Sequence, residues 1–159
     1  MSQNNQFNKI YQDNYHKVFG LCLGYVSGNE ELAKELVQQV FIKVWENLKN
    51  FRNQAKLSTW IYRIAVNTCL QELRKKKKYS LIIDVPDEID TEVFEKEERF
   101  RAMYHCINQL SKENRSIILL DLEEVSQTEI AEIIGISYEA LRTRIHRIKD
   151  KLSKCVKNE

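Results

Sequence analysis

Ser126-Gln-Thr-Glu-Ile-Ala-Glu-Ile-Ile-Gly-Ile-Ser-Tyr-Glu-Ala-Leu-Arg-Thr-Arg-Ile-His-Arg-Ile-Lys-Asp-Lys151 decides how this chain folds. Ser126 and Glu129 form the S-x-x-E pattern of a capping box, so a helix starts at Gln127. Ile130, Ala131 and Ile134 give that helix one apolar face. Gly135 supplies the left-handed residue that ends it, and Ile136 plugs the turn. Ser137 caps a second helix, with Leu141, Ile145, Ile148 and Leu152 on its inner face. Two helices joined by a tight glycine turn, the second basic on its outer face, read as a helix-turn-helix.

Upstream, apolar residues keep helical spacing. Ser111 caps a helix carrying Ile117, Ile118, Leu120 and Leu122. Before it comes a helix with Phe94, Phe100, Met103, Tyr104 and Ile107. Residues 79–91 hold the only proline, Pro86, and belong to a dense acidic run. Eight acids stand between Asp84 and Glu98 against Lys96 alone. This segment reads as a linker poor in packing residues. Fully extended it reaches at most roughly 45 Å.

The N-terminal part reads as three amphipathic helices. Phe7, Ile10, Tyr11, Val18, Leu21, Cys22 and Tyr25 mark the first, which Gly28 ends. Asn29 caps the second, on which Leu32, Leu36, Val37, Val40, Phe41, Val44, Trp45 and Leu48 continue one face to about Asn50. A polar loop follows from Phe51 to Leu57. Ser58 or Thr59 caps the third helix, which carries Trp60, Ile61, Ile64, Ala65, Leu70 and Leu73. Fold class is therefore all-α: two small helical domains, 1–78 and 92–159, joined by an acidic linker at 79–91, with a C-terminal helix-turn-helix.

Composition narrows the function. The net charge of +2 hides an asymmetry in which Arg74–Lys78 are five consecutive cations and Arg142–Lys157 holds seven Lys or Arg against Asp150 alone. Two basic zones around an acidic middle suit a polyanion partner at each end. Cys22, Cys69, Cys106 and Cys155 lie far apart without a CxxC, which predicts neither a disulfide framework nor a zinc site. His105 and Cys106 are adjacent on a helix and point in different directions, so no metal is expected. The polar start of the chain lacks a signal-peptide core, and no apolar run reaches membrane-spanning length. A cytoplasmic protein without membrane insertion is expected. No phosphate loop, HExxH or nucleophile elbow is present, and neither catalytic residues nor a cofactor are expected.

On the last helix, Glu139, Arg142 and Thr143 are positioned for base edges. Arg142 suits guanine and Glu139 suits cytosine. Ser137, Arg144, His146, Arg147 and Lys149 suit phosphates or packing. In the first domain Arg52, Asn53, Lys56, Ser58, Thr59, Arg63 and Asn67 combine with aromatics in the manner of single-strand binders. Trp60 is in phase with Ile64 and reads as core before it reads as a stacking platform. Tyr62 fits either role.

At this point the sequence resembles the extracytoplasmic-function (ECF) group of sigma-70-type sigma factors. Ala33-Lys-Glu-Leu-Val-Gln-Gln-Val-Phe-Ile-Lys-Val-Trp45 is similar to the family's region 2.2. Ser58-Thr-Trp-Ile-Tyr-Arg-Ile-Ala-Val-Asn67, leading to Leu73-Arg-Lys-Lys76, is similar to regions 2.3 and 2.4. Leu110-Ser-Lys-Glu-Asn-Arg115, Glu129-Ile-Ala-Glu-Ile-Ile-Gly-Ile-Ser137 and Arg142-Thr-Arg-Ile-His-Arg147 resemble region 4. The resemblance implies a factor that binds core RNA polymerase through Glu35, Gln38, Gln39 and Phe41 on the β′ clamp helices. It implies that Asn53, Lys56, Ser58, Thr59, Arg63, Asn67, Arg74 and Lys75 melt and read the minus-ten promoter element. Ser137, Glu139, Arg142, Thr143, Arg144, His146, Arg147 and Lys149 would read the minus-thirty-five element, with region 4 also touching the β flap. An anti-sigma factor is a further expectation of the family. Gln39 departs from a usual acid, Gln71 from Asp, Ser111 from Pro and Ala140 from Thr, and none breaks the helical pattern.

Two other readings compete. One is a helix-turn-helix regulator that binds duplex operator DNA without polymerase, against which the melting-type loop argues. The other is an enzyme such as a recombinase, which needs nucleophiles near clustered arginines or acids. The sequence leaves open whether the two domains pack together in the free protein.

Overall fold

The computed structural model describes residues 2–76 and 91–158. Seven α-helices and one 3-10 turn make up these residues, with no β-strand among them. The linker expected at 79–91 lies outside the described residues, except for Thr91, with which α4 opens.

In the first domain, α1 is Gln3–Tyr25, α2 is Glu30–Asn47 and α3 is Leu57–Lys76. Asn29 caps α2 by accepting from the Leu32 N–H at 3.1 Å, and Glu30 and Glu31 sit where the helix dipole favours acids. Between α1 and α2 the chain turns through Ser27 and Gly28 at positive φ. A side chain at Gly28 would be strained at φ +85° and would also press on the Tyr104 ring. A 3-10 turn, Leu48–Asn50, follows α2. The loop to α3 turns at Asn53, whose φ of 58° suits an Asn better than most residues.

In the second domain, α4 is Thr91–Asn108, α5 is Lys112–Leu122, α6 is Gln127–Ile134 and α7 is Tyr138–Lys157. Ser111, Ser126 and Ser137 each accept from a backbone N–H three residues on. Gly135 closes α6 at φ 86°, and its N–H donates to the Ala131 carbonyl at 2.8 Å. The helix-turn-helix therefore stands where the sequence puts it.

The core runs without a break through both domains. Ile61, Ile107, Ile117, Ile130 and Leu141 are each fully buried, and each contributes about 1.5–3 kcal/mol relative to exposure. Tyr62 belongs to this core, and burial, with Glu129 and Glu123 nearby, pushes its phenol up to about 12. Trp60 is half-buried against the core, its ring 5.0 Å from that of Phe51. The two domains pack against each other through α1 and α5. The Tyr25 hydroxyl on α1 meets the Ser116 hydroxyl on α5, and the Leu119 side chain occupies the space a Cβ at Gly24 would need. Gly24 lets the two helices approach this closely.

Several expectations need correction. Cys106 on α4 and Cys155 on α7 form a disulfide, their Cα atoms 6.0 Å apart. Their separation of 49 residues concealed this, because only the packing of α4 on α7 brings them together. Cys22 and Cys69 are buried core thiols, with sulfurs 3.6 Å apart. Leu122, the last of the apolar residues that α5 carries, is 51% exposed because the helix ends there. Ser58 and Thr59 do not cap α3, since the helix already starts at Leu57. The capping box of α6 is closed from one side: the Ser126 hydroxyl accepts from the Glu129 N–H, while the Glu129 carboxylate accepts from Ser58 and Thr59.

Candidate nucleic-acid and partner interfaces

Three surfaces carry the residues singled out above. The first is an open groove between α1 and α2, of about 750 Å³. Glu35, Gln38 and Phe41 line it, and Gln39 does not. Phe41 is buried and forms the floor, its ring 4.7 Å from that of Tyr11. Ile42 and Trp45 stand on the rim, 50% and 37% exposed. The Trp45 indole meets the Phe7 ring edge-on at 5.2 Å, which fixes its orientation. Sequence reasoning placed Trp45 on the inner face and gave Ile42 no role. Its position off the apolar stripe of α2 was the available signal.

The second surface is the outer side of α3 with the loop before it. Arg63, Asn67, Gln71 and Arg74 recur one turn apart and are exposed, forming a polar stripe along the helix. Asn53 and Lys56 are exposed in the loop. Lys75 is exposed and pairs with Glu72 at 3.4 Å. Ser58, Thr59 and Arg63 are engaged by the second domain. Ser58 and Thr59 donate to the Glu129 carboxylate, Thr59 at 2.9 Å, and Arg63 donates to the Glu132 carbonyl at 2.7 Å. Thr59 has no exposed surface at all.

The third surface is the outer face of α7. Leu141, Ile145 and Ile148 are buried, which turns Glu139, Arg142, Thr143, His146, Arg147 and Lys149 outward along one concavity. The hydrophobic pattern of this helix alone fixes that division. The Arg142 guanidinium lies over the Tyr138 ring, 5.9 Å from its centroid, a cation–π contact that aims it along the helix. Tyr138 was missed as a positioning group, although an exposed aromatic four residues before Arg142 was a readable signal. Ser137 uses its hydroxyl as the cap. Arg144 pairs with Glu113, and Lys149 pairs with Asp121 at 3.1 Å. These two ion pairs tie α7 to α5.

Among the described residues, no His, Cys, Asp and Glu cluster is placed to hold a metal ion, and no helix is long and apolar enough to cross a membrane.

A helical domain with a groove and a polar stripe, joined to a helix-turn-helix with a free basic face, is the architecture of a promoter-recognition factor. Residues 10–79 match the family Sigma-70 region 2, and residues 100–152 match Sigma-70, region 4. The ECF RNA polymerase sigma factor SigW of Bacillus subtilis (strain 168) is 31% identical over 165 residues, which cover 91% of this chain and 84% of that protein. Two solved structures share the fold. CnrH in complex with the cytosolic domain of CnrY has a TM-score of 0.74 at 19% identity, covering 98% of this chain and 90% of that one. The sigma factor RpoE of Bartonella quintana, in complex with the anti-sigma factor NepR, has a TM-score of 0.65 at 20% identity, covering 94% and 97%. The chain belongs to the ECF group of the sigma-70 family: it is a non-enzymatic transcription initiation factor that acts with RNA polymerase on promoter DNA.

Proposed function

We propose that the three surfaces divide the work of initiation. The α1–α2 groove takes the clamp helices of core polymerase, with Glu35 and Gln38 as polar contacts, Gln39 at the edge and Phe41, Ile42 and Trp45 as apolar anchors. An exposed aromatic and aliphatic pair flanked by polar groups is the composition of a protein-docking centre. The loop and stripe formed by Asn53, Lys56, Ser58, Thr59, Arg63, Asn67, Arg74 and Lys75 read and melt the minus-ten element. Cations track the backbone, and the loop receives an unstacked base.

The observation that carries the reading is the outward face of α7. Its N-terminal turns offer Glu139, Arg142 and Thr143 to base edges, and Ser137, His146 and Arg147 lie within reach of phosphates. Arg144 and Lys149 approach the backbone from their ion pairs with α5. These placements support major-groove reading of the minus-thirty-five element. Region 4 also meets the β flap. The domain boundaries 1–78 and 92–159 follow from this division, with 79–91 as the connection. The work is done in the cytoplasm. The complex of Bartonella quintana RpoE with NepR supports an anti-sigma factor as a partner here too.

The test is a holoenzyme reconstituted with core polymerase and assayed on promoter variants. Arg142→Ala should relax preference at one base pair of the upstream element, worth about 1–3 kcal/mol of discrimination. An equal loss on every variant would remove Arg142 from base readout.

A further inference from the structure

Two pairs of cysteines come together in the fold, and only one pair is bonded. Cys22 and Cys69 keep free thiols although their sulfurs lie 3.6 Å apart, and both are fully buried. Cys106 and Cys155 share a disulfide. Cys106 is buried, whereas Cys155 is only half-buried near the end of α7. We propose that Cys106–Cys155 is a reversible thiol–disulfide exchange site whose substrates are small soluble disulfides and thiols, and that its state decides whether the last turns of α7 are tied to α4. The effect on promoters rests on the assignment of α7 to the minus-thirty-five element; the exchange chemistry does not.

Access sets the order of the two sulfurs. Exchange begins at the sulfur that an outside molecule can reach, and here that is Cys155. Lys151 and Lys157 are exposed close to it along α7, and Lys154 is adjacent, paired with Asp150. These charges favour the thiolate, while the last carbonyls of the helix oppose it. Cys106, shut in between α4 and α7, serves as the resolving partner.

Closure from the reduced state takes two exchanges. The Cys155 thiolate attacks one sulfur of a small disulfide, whose S–S bond breaks, and one small thiolate leaves. The Cys106 thiolate then attacks the Cys155 sulfur of the mixed disulfide and expels the second small thiolate. The protein gives up two electrons, and its two thiol protons end on the two small thiols formed. Opening is the reverse, with a small thiolate attacking Cys155.

Burial along α7 shows what the bond holds. Leu141, Ile145 and Ile148 are buried, and the ion pairs of Arg144 and Lys149 tie the same stretch to α5. Beyond Ile148 no described side chain of α7 is buried: Leu152 is half-buried and Val156 is exposed. The disulfide is therefore the main hold on this end. Disulfides of the cytoplasm are characteristically transient and redox-sensing, and opening this one frays a helix end while the core stays packed. Lys149 lines the outward concavity within two turns of Cys155. Fraying weakens the phosphate contact proposed for it and leaves Arg142 in place.

The full chain and the variants Cys106→Ser and Cys155→Ser test this. Each is reduced, mixed with oxidised glutathione, quenched by alkylation and weighed. Wild type should reclose without retaining glutathione. Cys106→Ser should keep one glutathione on Cys155, and Cys155→Ser should take it up at Cys106 at least about tenfold more slowly. Wild type that stays reduced would overturn the exchange site, and equal capture by the two variants would overturn the order of the sulfurs. Amide hydrogen exchange over residues 150–157 should quicken at least about tenfold on reduction, with residues 141–148 changing by less than about twofold. Equal rates in the two states would overturn the tie.

In holoenzyme, reduction should weaken promoter binding about threefold, part of one phosphate contact, on every minus-thirty-five variant alike. Cys155→Ser should show the weaker binding with or without reductant. If reduction changes nothing, Lys149→Ala locates the fault. Weaker promoter binding by that variant would leave the α7 assignment standing and overturn the link from the bond to DNA. Unchanged binding would overturn the assignment itself.

Discussion

Replacing Ile42 by serine tests the proposed polymerase-binding role of the α1–α2 groove. Half of the Ile42 surface is already covered in the free protein and half is exposed on the groove rim. Full burial of an isoleucine is worth about 1.5–3 kcal/mol, so docking a partner over the exposed half gains about 0.8–1.5 kcal/mol. Serine forfeits this and brings a hydroxyl that loses water on docking. The expected loss is about 1–2 kcal/mol, or roughly 5- to 30-fold in Kd. Trp45 is a poorer choice because its ring packs edge-on against Phe7, so its removal would disturb α1 as well. The assay is competition against labelled wild-type factor for core polymerase, with thermal unfolding as the check on folding. Val156→Ser is the control, since Val156 is 41% exposed in the last turn of α7, outside the groove. A folded Ile42→Ser protein that binds core polymerase within about twofold of wild type would refute the groove assignment, because so small a change is under half the expected free energy.

Glu35→Arg should also weaken holoenzyme assembly while leaving the thermal midpoint nearly unchanged, since Glu35 is exposed; unchanged affinity would take it out of the contact. Lys149→Ala should weaken promoter binding on all sequences alike and lower the salt slope by about one, and it also frees Asp121; a base-specific effect would place Lys149 wrongly. Burial raises the Glu123 carboxyl above its ordinary value, with the Lys17 charge opposing and the Glu124 charge adding. The folded state therefore holds this proton more tightly than the unfolded one, and the charged form destabilises at neutral pH. Glu123→Gln should raise the thermal midpoint at neutral pH, with the gain vanishing as pH falls below about 4, where both states are protonated; a gain independent of pH would disprove this. Cys155→Ser removes a link that closes a 49-residue span. Without reductant it should cost about 3–4 kcal/mol, and the two proteins should converge once reductant is added; wild-type stability unaffected by reductant would count against the bond.

The helices and the turn were legible in the order of residues alone. Ser126, Gly135 and Ser137 specify the helix-turn-helix through bonds spanning three or four residues, and such bonds need no distant partner. The spacing of Leu141, Ile145 and Ile148 likewise fixed which face of α7 turns outward, because a helix with one apolar stripe has one way to bury it. Arg142, Glu139 and Thr143 were legible for that reason. The groove was legible only in part: Glu35 and Gln38 were identified, but the rim residues Ile42 and Trp45 depend on where α1 crosses α2.

Contacts between elements far apart in the chain were not legible before the helices were packed. Cys106 meets Cys155 because α4 packs on α7. The Glu129 carboxylate has two possible sets of partners, the local Ser126 N–H and the distant hydroxyls of Ser58 and Thr59. A sequence pattern encodes the first set, since its geometry follows from one helical turn. The second set exists only once α6 packs on α3 and brings the two domains together. Periodicity states that a face must be buried; the shapes and close approaches of whole helices decide against what.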